Sequence, residues 1–402
     1  MNHKIKTKLR ILAIESSCDE TSASVLEVTP NTKYHILNTK ILSNIVSSQV
    51  KIHAKYGGVY PELASREHVK NIIPVIATAM TDRANAHENI PENHSKKIPN
   101  TKYQILNTID YIAVTTTPGL IGSLLVGTET AKTLAYVFKK PIISVNHLEG
   151  HIYANFVGAN PKLQIPNLKQ NSNFKLKSSN YPTFPILALI VSGGHTSLVY
   201  MKSHLDYKII GETLDDAAGE AYDKVACMLG LGYPGGPVVD AMASQIVNRK
   251  SQIARLFPRP LINSNNFNFS FSGLKTSVLY YLKKQKKPYS KTLIEKVCYE
   301  FQEAVVETLI TKTLKAAKKL KVKSIIVSGG VAANSRLRDE FKLKVESCGS
   351  NVGLFLPPRN LCTDNAAMIG AAGAFKILAG QVGNWYDIKA QANSKLTTIN
   401  KK

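Results

Sequence analysis

The feature that most constrains this 402-residue chain is a short apolar run that stops in a turn of small and polar residues. It occurs three times. Ile11–Glu15 (ILAIE) runs into Ser16-Ser17-Cys18-Asp19-Glu20-Thr21 and then the alternating Ser22-Ala23-Ser24-Val25-Leu26. Ile186–Val191 (ILALIV) runs into Ser192-Gly193-Gly194-His195-Thr196 and then Ser197-Leu198-Val199-Tyr200. Each reads as a buried strand, a tight turn and a return strand. The third, Ser324-Ile325-Ile326-Val327-Ser328-Gly329-Gly330, leads instead into Ala332–Leu337, which has helical character. Turns of this kind leave backbone N–H groups pointing outward, ready for phosphate or carboxylate oxygens. Two such hairpins in separate halves, plus a strand–Gly-Gly–helix, predict a duplicated α/β unit that handles a nucleotide.

Helical patterns lie between them. Val297, Phe301, Val305 and Leu309 recur every fourth residue in a long amphipathic helix ending near Lys321. Asp110–Thr117 reads as a strand that turns at Pro118-Gly119 into a helix through Leu124 and Ala131. Thr363–Leu378, rich in Ala and Gly, reads as a helix built for close packing. Arg83–Thr108 and Ala159–Pro185 lack periodicity and read as loops. Residues 31–39 (NTKYHILNT) nearly repeat at 100–108 (NTKYQILNT); the pair is too short for a solenoid and reads as an inserted surface element.

Charge bears on partners. The chain has 51 Lys+Arg against 28 Asp+Glu, a formal +23, which suits a polyanion such as RNA. Most of the excess is Lys, and a coding bias would give the same balance. Basic runs at Lys283-Lys284-Gln285-Lys286-Lys287 and from Lys312 to Lys323 read either as a phosphate-tracking surface or as solvated faces. The five cysteines are scattered without a C-x-x-C, which points to a reducing compartment rather than a disulfide scaffold. The apolar stretch after Arg10 is too short for a signal-peptide core, and no stretch approaches a membrane span. A cytoplasmic protein that does not engage membranes is the expectation.

His147 and His151 stand four apart in Asn146-His147-Leu148-Glu149-Gly150-His151. On a helix begun by Asn146 both imidazoles share one face, one turn apart, where they can share an ion. The zincin peptidase pattern needs a glutamate directly after the first histidine. Glu149 falls two residues after His147, about 200° around the helix, so a peptidase is disfavoured. Asp364, in Cys362-Thr363-Asp364-Asn365, is the best placed third ligand, though a helix N-cap fits its context equally.

Asp215-Asp216-Ala217-Ala218-Gly219-Glu220-Ala221-Tyr222-Asp223-Lys224 gathers four acids before the glycine-rich Leu229–Pro237. They read as a solvated helix face or as hydroxyl ligands beside a loop that a ligand can approach closely. No Walker A sequence is present, and the P-loop and dinucleotide-fold readings are set aside. Phe269–Lys275 reads as a strand ending in a turn, with Lys275 either on phosphate or in solvent.

Together these segments resemble one family, the tRNA adenosine threonylcarbamoyltransferase catalytic subunits, formerly called O-sialoglycoprotein endopeptidases. The matching stretches, in family order, are IESSCDETSASV, KYGGVYPELASREHV, TPGLIGSLLVG, NHLEGH, LIVSGGHTSL, DDAAGEAYDKVA, YPGGP, FSFSGLKT, VSGGVAANSRLR and CTDNAAMIG. The family often has a second histidine where Asn146 stands. Segments near 31–40, 84–108 and 160–183 look like insertions, and the tail beyond about 380 does not match clearly.

The resemblance implies a duplicated α/β fold of the actin, sugar-kinase and Hsp70 ATPase type, two lobes around a cleft. Residues 10–146 plus 366–390 would form the N-terminal lobe, 147–365 a C-terminal lobe with most nucleotide and metal contacts, and 391–402 a flexible tail. It implies that His147, His151 and Asp364 bind one divalent metal, with Fe(II) the first expectation and Zn(II) the second. It implies that Ile190, Val191, Ser192, Gly193, Gly194, Asp223, Gly236, Asp240 and Asn334 surround threonylcarbamoyl-AMP. The implied reaction moves the threonylcarbamoyl group to N6 of the adenosine beside the anticodon in tRNAs reading A-starting codons. Asp19 and Glu20, in the first turn, are candidates to orient the attacking amine, turn-capping being their structural alternative. Implied partners are tRNA, a fold-related paralogous subunit and a small P-loop ATPase. A sugar-kinase-like ATPase would share the hairpins without requiring the histidines, and a non-catalytic partner subunit would be expected to lack the triad.

Overall fold

The structure, a computed structural model, describes residues 8–31, 36–81, 108–158, 181–246, 255–347 and 351–396. The segments 84–107 and 160–180, and with them residues 100–107 of the second repeat copy, and the last residues 397–402 lie outside them.

Two five-stranded sheets carry the fold. The first contains β1 (Leu9–Glu15), β2 (Glu20–Asn31), β3 (Ile36–Ser48), β4 (Tyr111–Thr117) and β5 (Ile142–Asn146), in the order β3-β2-β1-β4-β5. The second contains β6 (Ile186–Val191), β7 (Thr196–Met201), β8 (Tyr207–Glu212), β9 (Ser324–Ser328) and β10 (Gly353–Phe355), in the order β10-β9-β6-β7-β8. In each, the leading strand pairs antiparallel with its hairpin partner and parallel with the strand on its other side. The order and directions of the second sheet repeat those of the first, so the duplication read from the turns is a duplication of topology. The leading strands are unbroken apolar runs because both faces of each sheet centre are covered; Ile11–Ile14 and Ile186–Val191 have no exposure to solvent.

The helices are α1 (Val50–His53), α2 (Pro61–Ala79), α3 (Ile121–Phe138), α4 (His147–Tyr153), α5 (Ala218–Met228), α6 (Gly235–Ser244), α7 (Ser272–Lys283), α8 (Lys291–Leu320), α9 (Ser335–Ser347) and α10 (Ala366–Leu378). The helix read around Val297, Phe301, Val305 and Leu309 is α8, and all four side chains are fully buried. Each such side chain contributes about 1.5–3 kcal/mol. The Ala/Gly-rich segment is α10, where a Cβ on Gly373 would meet Ala113 Cβ at 2.9 Å and one on Gly370 would meet Ala13 Cβ at 3.2 Å. Glycine there lets the helix lie directly on β1 and β4.

Contacts divide the chain into two units, Met1–Gln49, Val59–Tyr181 and Asp364–Leu396 in one and Val50–Gly58, Pro182–Thr363 and Thr397–Lys402 in the other. Apart from the short excursion Val50–Gly58, the chain leaves the first unit at Tyr181/Pro182 rather than after 146, which puts His147 and His151 in the first unit. The reason is packing. Gly150 of α4 faces Met368 and Ile369 of α10, and Tyr153 stacks on Phe375 at 4.6 Å.

Other expectations need correction. Residues 36–40, read as part of a loop, begin β3 and pair with β2, with Leu37 and Thr39 facing inward. Residues 391–396 are not a loose tail: Gln391 N–H donates to Thr116 O at 2.9 Å, Gly119 N–H donates to Ala392 O at 3.0 Å, and Leu396 is buried. Helix α2 was not anticipated, although Ala64, His68, Ile72, Val75, Ile76 and Ala79 spell its buried face and Pro61 opens it. No helix among the described residues is long and apolar enough to cross a membrane.

Candidate functional site

Helix α4 starts where the sequence placed it. Asn146 Oδ1 accepts the Leu148 N–H at 2.8 Å, and Glu149 Oε2 accepts the Asn146 N–H at 3.1 Å, so the two residues cap the helix reciprocally. The same Glu149 oxygen lies 2.7 Å from Lys376 Nζ of α10, and Lys376 also donates to Ser144 O at 2.9 Å. The glutamate that a peptidase would need as a base is bound to a helix cap and a buried lysine.

On the opposite face, His147 and His151 meet edge to face with ring centroids 4.6 Å apart. Asp364 Oδ1 lies 3.4 Å from His147 Nε2 and 3.2 Å from His151 Nε2. Asp364 is not the cap of α10; Asn365 is, accepting the Met368 N–H at 3.1 Å. One donor atom from each of His147, His151 and Asp364 fits within 4.8 Å of the others. His151 has no exposure to solvent; its Nδ1 has no hydrogen-bond partner, and its Nε2 meets only Asp364 Oδ1. A buried imidazole whose Nε2 faces a carboxylate shared with a second histidine can serve as a metal donor. Two imidazoles and one carboxylate therefore fit a divalent ion of the Fe(II) or Zn(II) kind.

Electrostatics bind the three together. Burial works against both charges, but Asp364 and Glu15 hold His147 well above the usual imidazole range, and the histidines hold Asp364 far below the carboxylate range. Burial lowers His151. Sequence reasoning missed Glu15, the fully buried end of β1, whose Oε2 lies 3.0 Å from His147 Nδ1. Its signal was present, a lone carboxylate closing an apolar strand.

The Asp19–Glu20 turn belongs to the same unit. His68 fastens it from α2, bonding Thr21 Oγ1 at 2.7 Å and Cys18 O at 2.9 Å. Gly119 presses on it from the other side, where a Cβ would meet Ser17 Cβ at 2.8 Å. Burial, then the charges of Asp19 and Asp364, push the Glu20 carboxyl well above its ordinary range, with a weaker pull downward from Ser48 Oγ at 3.2 Å. A folded-state value above the unfolded one stabilises below the unfolded value and is lost as pH rises through the folded value. Glu20→Gln removes that loss. Its melting temperature should match wild type near pH 4 and exceed it progressively toward pH 8; an unchanged difference across that range would refute the assignment.

In the second unit the structure links the nucleotide candidates through contacts. The Ser192-Gly193-Gly194 turn receives the start of α5, where Gly219 N–H donates to Ser192 O at 3.1 Å. Asp223 Oδ1 on α5 accepts the Gly235 N–H of α6 at 2.7 Å. Asp240 on α6 accepts the Ser335 N–H at 3.0 Å. Asn334 caps α9, accepting the Leu337 N–H at 2.8 Å, and donates to Gln302 at 2.7 Å. Gly329, at φ +94°, lies against Val191 and Ser192. Ile190 and Val191 have fully buried side chains, so only their backbone can meet a ligand.

The glycines here differ in purpose. A Cβ at Gly219 would meet Ser192 O at 2.6 Å and Gly193 N at 2.9 Å, whereas one at Gly193, Gly194 or Gly236 would meet nothing within 4 Å. Gly219→Ala should therefore cost about 1–3 kcal/mol in urea unfolding. Gly236→Ala should stay within about 0.5 kcal/mol. Equal costs would overturn this division.

Two acids of the cluster, Asp215 and Asp216, are engaged within the chain. Asp215 accepts the Phe271 N–H at 2.7 Å and the Ser272 N–H at 3.2 Å, and Ser270 Oγ–H donates to it at 2.6 Å. This seats the start of α7, so the segment read as a strand ending in a turn is a helix from Ser272 onward. Asp216 binds Lys275 at 2.7 Å and Lys224 at 2.9 Å. Lys312, counted in a basic run, is buried and donates to Ser264 Oγ at 2.8 Å and Asn266 O at 3.1 Å; burial lowers it to about 8. Gly230, Gly232 and Gly235 do carry the dinucleotide-fold glycine spacing. They follow α5 rather than a strand, which excludes that use.

Paired sheets of this topology define a protein of the actin, sugar-kinase and heat-shock ATPase class. Solved structures share the fold: T. kodakarensis HypF has a TM-score of 0.54 at 12% identity, over 94% of this chain and 49% of that one. Full-length HypF in its phosphate- and nucleotide-bound form has a TM-score of 0.51 at 12% identity, over 93% of this chain and 47% of that one. This chain spans about half the length of those proteins, and the likeness carries the fold alone. Within the class, the chain belongs to the tRNA N6-adenosine threonylcarbamoyltransferase family, which it matches over residues 40–169 and 171–371. The tRNA N6-adenosine threonylcarbamoyltransferase of Persephonella marina is 44% identical over 91% of this chain and 89% of its own length. That of Staphylococcus carnosus is 45% identical over 92% of each.

Proposed function

We propose that this chain transfers the threonylcarbamoyl group from threonylcarbamoyl-AMP to N6 of the adenosine next to the anticodon in tRNAs reading A-starting codons, releasing AMP. The observation that carries the reading is the meeting of His147, His151 and Asp364 in a chain of this family. Those three residues would hold one divalent ion, Fe(II) or Zn(II), which when bound supplies Lewis-acid polarisation and an anchor for donor oxygens.

The rest is done by the chain's own groups. Backbone N–H groups of the exposed Gly193 and Gly194 hold the adenylate phosphate. Asp223, Gly236, Asp240 and Asn334 shape the surface that receives the adenosine. Asp19 and Glu20 orient the attacking amine. The N6 lone pair forms the new bond to the carbamoyl carbon, the carbon–phosphate oxygen bond breaks toward AMP, and the N6 proton passes to the Asp19–Glu20 pair. The same reading makes tRNA, a fold-related paralogous subunit and a small P-loop ATPase the partners, and the cytoplasm the place of work.

Purified threonylcarbamoyl-AMP and unmodified tRNA supply the test, with wild type compared to His147→Ala. Transfer by wild type and its loss in the variant is the expected outcome. Equal transfer would remove the metal role. Hydrolysis of a glycoprotein without tRNA modification would return the peptidase, against the commitment of Glu149 to Asn146 and Lys376.

A further inference from the structure

We infer that Glu15 is the positioning residue of the metal centre: its buried carboxylate fixes the proton of His147 on Nδ1 and so presents Nε2 as the donor. This rests on the reading that His147, His151 and Asp364 hold the ion.

Glu15 is fully buried at the end of β1, where a carboxylate is costly unless its oxygens are satisfied. Its oxygens accept from three directions. Oε1 takes the Ser17 N–H at 2.5 Å, and Oε2 takes Thr115 Oγ1–H at 2.7 Å and faces His147 Nδ1 at 3.0 Å. Two of these donors are fixed by backbone. Ser17 is in the turn that leaves β1, and Thr115 is on β4, which pairs with β1. The carboxylate plane therefore cannot swing away from His147.

An ionised carboxylate only accepts hydrogen bonds, so the proton between the two groups sits on Nδ1 of His147. In the neutral, ligating form of His147 this fixes the tautomer and puts the Nε2 lone pair on the side of Asp364, 3.4 Å away. Ser17 Oγ, 3.1 Å from the same Nδ1, offers a second acceptor on the same side and does not compete for Nε2. The two imidazoles of the site are thus held differently. His147 is aimed by a charged hydrogen bond; His151, whose Nδ1 has no partner, is held by packing. Loss of Glu15 should accordingly be felt at His147 alone.

The test uses the full chain, Zn(II) as the probe, isothermal titration, and long-range proton–nitrogen NMR of the histidine rings. Wild type is compared with Glu15→Gln, Thr115→Val and, as the control for the ligand set, His147→Ala. Glu15→Gln keeps the size but offers an amide N–H to Nδ1, which favours the wrong tautomer. Its Zn(II) affinity should fall about 10–100-fold, the usual effect of losing an outer partner of a ligating histidine. Its His147 ring should lose the pure Nδ1–H, Nε2–metal signature seen in wild type. Thr115→Val, which releases the Oε2 side without touching the ligands, should move both readouts in the same direction by less.

A merely structural Glu15 would lower the melting temperature and leave affinity and tautomer unchanged in the folded variants. That result overturns the inference while the ligand triad stands. If Glu15→Gln does not fold, Thr115→Val with wild-type affinity and tautomer overturns it equally. Wild type that binds Zn(II) no better than His147→Ala removes the triad reading and this inference with it.

Discussion

His151→Leu is expected to abolish metal binding and lower transfer by at least about 100-fold, while leaving the metal-free fold as stable as wild type to within about 1 kcal/mol, or more stable. Ordinarily a fully buried residue in a short helix is a poor place to substitute. Here the buried imidazole has an Nδ1 without a hydrogen-bond partner and an Nε2 that meets only Asp364 Oδ1, and a buried polar atom left unpaired costs about 1–3 kcal/mol that leucine does not. Leucine fills a similar volume, and Asp364 keeps its contact with His147. Function is the casualty, since removing a ligand should exceed the 10–100-fold typical of its outer partners. Zn(II) at a hundredfold excess over its Kd should stabilise wild type by about 2.7 kcal/mol and the variant not at all. Thermal unfolding with and without Zn(II), beside the transfer assay, reads all three quantities. A loss of several kcal/mol in the metal-free variant would make His151 a core histidine and take away the main support for its donor role.

The second large effect concerns stability. Lys376→Met should destabilise the protein by about 3–5 kcal/mol, because it strands the Glu149 carboxylate in the core. Glu149 and Lys376 are both buried at 2.7 Å, and α4 hangs on their contact through the Asn146 cap. Replacing both partners, as Glu149→Gln with Lys376→Met, should restore much of that loss, since a neutral pair leaves no uncompensated charge. A double-mutant cycle by urea unfolding gives the coupling. Additive single effects would show that the pair is not coupled. Folded Glu149→Gln should also retain transfer, which separates this residue from any catalytic part.

Much of this was legible in the sequence because the signals were local. The apolar runs with small-residue turns gave both leading hairpins and the strand before Gly329, and the four-residue period gave α8 in place. Asn146 was readable as a cap, since a capping side chain reaches only its own first turn. The two histidines were readable as a pair on one face for the same reason. Where the signal was weaker the reading failed in kind. The start of β3 passed for a loop, because a strand that pairs only with its hairpin partner shows little run of apolar residues. Phe269–Lys275 passed for a strand end, because its helix is seated by Asp215, far away in the chain.

The duplicated architecture, the faces of the long helices and the spacing of His147 and His151 were therefore determined by the sequence alone. Tertiary structure decided what the charged residues do. It took Asp364 from the cap position, which Asn365 fills, and set its carboxylate against both histidines. It turned Glu149 to Lys376, buried Lys312 of α8 against Ser264 and Asn266, and brought Glu15 behind His147. The physical reason is common to all of these. Backbone propensity and side-chain periodicity act over a turn or two of chain. A buried charge must instead find its partner wherever the packing of sheets and helices delivers one, and that is settled only when the core is closed.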